Sequence, residues 1–365
     1  MASRIGIVLN PRSRYLRHHP KAIGRLHLLA EDRGLVAESK DYDHVVRAAE
    51  TMLEDRVDIV AIAGGDGTAG ITIAAFDEVY KKAGKPLPPF SLLRGGTMNT
   101  VSNALGLPRG TPEKNLERLL ARTRNGTPPP TTTRTTLRAD GRVGFLFGTG
   151  VFQSFLREYY QRGKNDPSAV TAAETITAAA MSAVVQGPLV KKLAAPTRLS
   201  LDVDGEHFAE NLYMAVTAGT VSQVGLGFTP FFLADRFKQA FHLLALTGTP
   251  STVVKDLPRV WLGLPVKPHN GMNRVAHKVT LTAPEGAIDY MVDGDILTCH
   301  GPLHLETGPD GRSMTRPSFL GVGSEGREVM VTSSAAKPHP HPLPLPTRGR
   351  GILRRRRPPP PCGEG

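Results

Sequence analysis

The chain has 365 residues, room for two domains, and its 40% apolar and 21% charged side chains are the balance of a protein with a packed core. Its formal charge is +12, of which the segment from Val331 supplies +6 through Lys337, Arg348, Arg350 and Arg354 to Arg357 against Glu364. The mild excess left over suits a nucleotide or a phospholipid surface, and the lack of interleaved aromatic and basic residues outside that segment argues against a nucleic-acid binder. Two cysteines, Cys299 and Cys362, exclude a disulfide framework and fit a reducing compartment. No apolar run reaches the roughly 20 residues of a membrane span, so a soluble, cytoplasmic protein is expected, at most peripheral at the inner membrane face.

From the start, Ile5–Leu9 reads as a short strand that meets Pro11. Lys21 to Arg33 has helical periodicity through Ile23, Leu26, Leu29 and Ala30 and stops at Gly34. Val36–Ser39 reads as a second strand and His44 to Glu54 as a helix, with Asp41 or Asp43 as its cap. Val57–Ala63 is a buried strand running into Gly64-Gly65, followed by a helix and then by Phe90–Leu93, which ends at Gly95-Gly96. Strands alternating with helices predict a parallel sheet whose ligands sit beyond the carboxyl ends of the strands.

Arg122 to Thr136, rich in Thr and Pro, marks a domain boundary. Beyond it, Thr135–Arg138 and Val143–Phe147 flank a hairpin signal at Ala139-Asp140-Gly141-Arg142. Further β-like runs lie at Arg198–Val203, Leu212–Thr217, Phe241–Leu246, Lys278–Leu281 and Ile288–Val292. They are interrupted by helices near Ala169 to Val185 and after Pro250-Ser251. The reading is α/β: a Rossmann-like parallel-sheet nucleotide-binding domain over 1–130 and a mostly antiparallel β-sandwich over 131–330. A tail over 331–365, with nine prolines, is expected to be disordered.

The strongest local signal is Gly64-Gly65-Asp66-Gly67-Thr68, between a buried strand and a helix. Its glycines let the backbone approach a phosphate, and the helix N-terminus adds partial positive charge. Asp66 is then available for a metal ion riding on the phosphates or for activating a hydroxyl, and the plainer alternative is a helix cap. Asn10-Pro11-Arg12-Ser13 and Gly95-Gly96-Thr97-Met98-Asn99 end two other strands that can meet it at one sheet edge.

With that ordered set, the sequence resembles the diacylglycerol kinase catalytic-domain family, which includes bacterial lipid kinases and sphingosine kinases and is distantly similar to NAD kinases. The resemblance runs over about residues 4–310 and implies an ATP-dependent kinase that uses Mg2+ and acts on a lipid hydroxyl such as that of diacylglycerol or a sphingoid base. It places Asn10, Pro11, Ser13, Ser39, Gly64, Gly65, Asp66, Gly67, Thr68, Gly96, Thr97 and Asn99 around the nucleotide. It also implies a catalytic carboxylate at Asp295, in Asp293-Gly294-Asp295, where the family carries Asp-Gly-Glu. A hairpin turn is the plainer alternative, as in the earlier Val203 to Glu206.

Three departures are notable. Thr100 stands where the family has Asp, Ala69-Gly70 where relatives carry Asn-Glu, and Arg236 where a glycine helps bind a structural metal. Asp235, with the carbonyls of Phe232 and Phe237, is the candidate ligand set for that metal. Two rival functions stay open, an NAD kinase-like enzyme and a non-catalytic nucleotide-binding regulator. The apolar run Phe228–Phe237 and the Arg354–Arg357 run are candidates for contact with an anionic membrane, against core packing and a solvated tail.

Overall fold

The computed structural model describes residues 3–32, 34–124, 130–163, 195–225, 228–284 and 286–314, with positions 171, 174, 175, 187 and 193. Most of the helix expected near 169–185, and the whole of the 331–365 tail with its arginine run, lie outside the described residues.

The first part alternates as expected. β1 (Ile5–Leu9), β2 (Gly34–Glu38), β3 (Ile59–Ala63) and β4 (Phe90–Leu92) are joined by helices and pair in parallel in the order β2-β1-β3-β4. Every residue of β1 and β3 is buried, which is why both read as unbroken apolar runs without alternation. α1 (Arg14–His18) and α2 (Lys21–Ala30) follow β1, and α3 (Tyr42–Glu54) follows β2. The α3 cap is Asp41, whose carboxylate accepts from the His44 amide at 2.9 Å. α4 (Asp66–Lys82) follows β3; α5 (Thr100–Ala104) and α6 (Pro112–Arg122) follow β4.

The threonines after Pro130, in the segment read as a domain boundary, are strand residues. They form the first half of β5 (Thr131–Ala139), which turns into β6 (Arg142–Gly144). At Phe145 the chain leaves this sheet and enters a second one as β7 (Leu146–Thr149), and α7 (Val151–Arg162) follows. Then come β8 (Thr197–Val203), β9 (Glu206–Tyr213), β10 (Ala215–Gly219), β11 (Phe241–Leu246), α8 (Pro250–Trp261), β12 (Gly271–Ala276), β13 (Lys278–Thr282), β14 (Ala287–Val292), β15 (Asp295–His300) and β16 (Leu303–Met314). Among the described residues the second sheet runs β12-β11-β10-β7-β14-β15, antiparallel throughout.

β16 joins the two halves. It pairs antiparallel with β13 and β5, and through Ser313 opposite Phe90 it pairs parallel with β4. The parallel sheet thus continues into an antiparallel one, β16-β13-β8-β9. The second sheet packs face to face on that extension. Leu137, Leu201, Val279 and Leu305 of one meet Phe147, Val216, Leu243 and Tyr290 of the other in a single apolar core. The expected α/β architecture, a parallel sheet followed by an antiparallel sandwich, is what the chain adopts. α4 lies against β6, with Gly70 facing the Val143 carbonyl so closely that any Cβ there would collide with it.

His242, on β11, is fully buried against the edges of Phe231 and Phe232, with ring centroids 5.9 and 4.8 Å away. Its Nδ1 accepts from the Leu233 amide at 3.4 Å, and its Nε2 has no partner. Burial pushes its pKa from 6.5 down to about 4, so the folded protein holds a neutral ring that the unfolded chain would protonate. Stability is then complete above pH 6.5 and falls as the pH drops from there toward 4, by about 3 kcal/mol in all. Urea unfolding at pH 7.5 and pH 4.5 should show that loss, and His242→Leu should flatten it.

Candidate active site

Three strand ends converge at the carboxyl edge of the parallel sheet. β1 runs into Asn10-Pro11-Arg12-Ser13, a tight turn in which the Ser13 amide donates to the Asn10 carbonyl and the Arg12 amide to Asn10 Oδ1, both at 2.9 Å. Asn10 Nδ2 donates to Thr68 Oγ1 at 3.0 Å, tying this turn to the glycine loop. Ser39, just past β2, donates its amide (2.8 Å) and hydroxyl (3.3 Å) to the Leu9 carbonyl, beside Asn10.

β3 runs into Gly64-Gly65, and α4 starts at Asp66. The first helical bond is from the Ala69 amide to the Gly65 carbonyl at 3.1 Å, so the amides of Asp66, Gly67 and Thr68 lie ahead of the helical ladder, where an anion is favoured. The chain after β4 returns through Gly95-Gly96. Gly95 donates to the Gly64 carbonyl at 2.7 Å, and a Cβ on Gly96 would come 2.5 Å from the Gly65 Cα. The two glycine pairs therefore lie backbone against backbone, which only glycine permits. Asn99, in the left-handed region (φ 48°), exchanges two hydrogen bonds with Gly96 at 3.0 and 2.9 Å, and Thr97 lies in the bend between them. All the residues expected around a nucleotide thus fall in one cluster of loops.

Ser13 Oγ is buried there without a hydrogen-bond partner, 3.1 Å from where a Cβ on Gly95 would sit. An orphaned buried hydroxyl beside glycine backbone at a helix N-terminus has the chemistry of a phosphate site. A cavity of about 380 Å³, with Arg14, His18 and Arg94 among its lining residues, opens beside Gly96 and Asn99 and adds positive charge on that flank.

Asp66 reaches across to α5. Its Oδ2 accepts from the Thr100 amide at 2.7 Å and its Oδ1 from the Val101 amide at 3.2 Å. Burial raises its pKa, while those two amides and the Arg94 charge hold it back. Asp66 does cap a helix, but the helix is α5 and not its own. Thr100, which replaces the acid of relatives, contributes its main-chain N–H here.

On the other side of the seam lies the turn between β14 and β15. Asp293 (φ 54°) is its first residue, and its Oδ1 accepts from the amides of Phe145 and Leu146, each at 3.0 Å, where the chain changes sheets. Its Oδ2 is buried without a partner. Burial and then the nearby Asp66 charge push this carboxyl up to about 7, with a smaller push from Asp295. Asp295, the acid singled out from the sequence, begins β15 with its side chain 54% exposed and pairs with Arg142 at 3.7 Å. Tyr160 of α7 donates to the Gly294 carbonyl at 2.9 Å and pins the turn. Asp66, Asp293 and Asp295 therefore form one electrostatically linked group spanning the two halves of the fold. The sequence singled out Asp66 and Asp295. Asp293 as a buried acid, Arg142 and Tyr160 carried no signal, because each depends on contacts more than 130 residues apart.

The three candidate metal ligands fall on the loop before β11. Asp235 Oδ1 is held by Arg134 at 2.5 Å, Phe232 packs against His242, and Phe237 is 51% exposed. Among the described residues no three His, Cys, Asp or Glu side chains converge as a metal site. No helix among them is long and apolar enough to cross a membrane.

A glycine cradle at the edge of a parallel sheet thus lies across from acids of an antiparallel sandwich. Residues 4–127 match the family model of the diacylglycerol kinase catalytic domain, in agreement with the resemblance read from the motifs. A diacylglycerol kinase structure from Bacillus anthracis str. Sterne shares the fold at 14% identity, covering 87% of this chain and 99% of that one, with a TM-score of 0.57. A second, candidate diacylglycerol kinase of that organism does so at 16% identity, with the same coverages and a TM-score of 0.60. Yeast NADH kinase complexed with NADH aligns at 11% identity over 90% of each chain with a TM-score of 0.44, a level that supports no inference. No curated protein matches the chain in sequence.

Proposed function

We propose that the protein is an ATP-dependent kinase that transfers the γ-phosphoryl group to a lipid hydroxyl, of the diacylglycerol or sphingoid type. The observation that carries this reading is the pairing of a main-chain phosphate cradle with a buried, partnerless carboxylate oxygen whose charge is coupled to Asp66. The amides at the start of α4, the Gly95-Gly96 backbone and Ser13 Oγ would hold the triphosphate. Mg2+ is normally held by one or two carboxylates plus phosphates, so Asp66 at the mouth of the cradle suits it, and the ion would neutralise charge building on the transferring group.

The acceptor oxygen bonds to the γ-phosphorus as the bond to the ADP oxygen breaks, and the hydroxyl proton passes to a carboxylate of the Asp293-Gly294-Asp295 turn. Asp295 is the acceptor of that proton in the reading from resemblance. Asp293, with its raised pKa and an unpartnered Oδ2 buried beside Gly144, is the second candidate for that role.

Labelled ATP incubated with a total lipid extract or with NAD tests the proposal. Label in a lipid product, resolved by mass, is the expected result. Label in NAD alone would identify an NAD kinase-like enzyme, and ATP binding without transfer to any lipid would identify a regulator; either outcome ends the proposal.

A further inference from the structure

The large apolar side chains left exposed are not scattered. Of seven among the described residues, Trp261 (58%), Leu262 (68%) and Leu264 (44%) fall within four positions at the end of α8, and Phe237 (51%) lies on the loop packed beside it. This end of the helix is tied down by hydrogen bonds. The Leu262 amide bonds the Pro258 carbonyl at 3.1 Å, the Leu264 amide the Arg259 carbonyl at 2.8 Å, and Gly263 turns the chain at φ 67°. Thr229 Oγ1 braces it with bonds to the carbonyls of Val260 and Trp261, both 3.1 Å. The loop thus has an identifiable structural duty: Phe231 is fully buried, and the run Phe228–Phe237 buttresses the helix end.

The charge around this knob has one sign. Lys255 and Lys267 are exposed and Arg259 is half-buried, while the acid of the same stretch, Asp256, is buried at 1% and bonded to Asn270 at 2.7 Å. Arg236 and Lys238 are exposed on the bracing loop, where Asp235 is taken up by Arg134. An apolar patch of one tryptophan and two leucines, on a stretch whose exposed charges are cations, matches the headgroup region of a bilayer: tryptophan favours that boundary, leucine the acyl edge, and Lys and Arg the anionic headgroups.

We propose that the α8 end, Trp261-Leu262-Gly263-Leu264, is a docking surface for an anionic lipid bilayer, held down by Lys255, Arg259 and Lys267. The proposal does not rest on the phosphotransfer reading, because docking needs no nucleotide and neither failure entails the other.

The test is unusually direct, since Trp261 is the single tryptophan of the chain and reports the surface itself. The full chain is titrated with vesicles of phosphatidylcholine with or without phosphatidylglycerol. Phosphatidylglycerol vesicles should shift the emission to shorter wavelength, brominated lipid should quench it, and added salt should weaken both. Replacing exposed leucines should leave the melting temperature unchanged, and Leu262→Asp with Leu264→Asp should weaken binding at least about tenfold. Vesicle capture with unchanged Trp261 emission and no effect of the leucine changes would assign membrane binding to the Arg354–Arg357 tail and overturn the proposal. A lipid-free, concentration-dependent shift that tracks dimer formation would overturn it in favour of a second copy of the chain.

Discussion

Asp66→Asn is expected to lower kcat by about 10³-fold, the scale of losing one pre-organised charge at a phosphoryl-transfer centre, with the two halves of the fold intact. The change should also be felt in stability. Asn can present one oxygen to the α5 amides, but its NH2 would face the other donor, and a buried donor left unbonded costs about 1–3 kcal/mol. The melting temperature should therefore fall by a few degrees without loss of cooperative unfolding. Steady-state phosphorylation measured beside a thermal scan checks both halves of this expectation. Activity within a few-fold of the unaltered protein would remove Asp66 from the chemistry and leave it as a cap of α5.

The second large effect separates the two acids of the β14–β15 turn. If Asp293 takes the acceptor proton, Asp293→Asn should reduce kcat by about 10²- to 10⁴-fold. Asp295→Asn should then keep most of the activity and move the profile. A base must be ionised to act, so kcat/KM should rise as the pH passes through the free-enzyme value near 7. Asp295 is one of the charges holding that value up, so removing it should move the rising limb to lower pH. Loss of activity in Asp295→Asn with an active Asp293→Asn would reverse the assignment and make the exposed, Arg142-paired carboxylate the base.

These two acids show what the sequence could and could not reveal. The glycine loop, the Asn10 turn and the Gly95 to Asn99 segment were legible because each is local: an apolar strand, a break and a helix within about a dozen residues. The α3 cap was legible for the same reason as a choice between Asp41 and Asp43, and Asp41 fills it. What was not legible depends on distant pairing. The threonines of β5 look like linker by composition, yet Thr135 and Thr136 donate to Asp310 and to the Pro309 carbonyl across an irregular stretch of β16, at 2.8 and 2.7 Å. Those same residues, Gly308-Pro309-Asp310-Gly311, read locally as a turn and hid β16 as a strand. The Asp-Gly pairs at 204 and 293 are both hairpin turns, and it is the second whose carboxyl feels the Asp66 charge. The change of sheet at Phe145, which supplies the amides that hold Asp293, has no local mark at all.

The placing of β16 also bears on how the protein is made. Residues 303–314 emerge from the ribosome after every other described strand, yet they fill a gap between β4, from the first hundred residues, and β5 and β13. The first sheet therefore has an open flank at β4 until residues 303–314 have been made. A nascent chain halted before residue 303 should be kept in solution by chaperones and should gain ATP affinity only when a peptide carrying the missing strand is supplied.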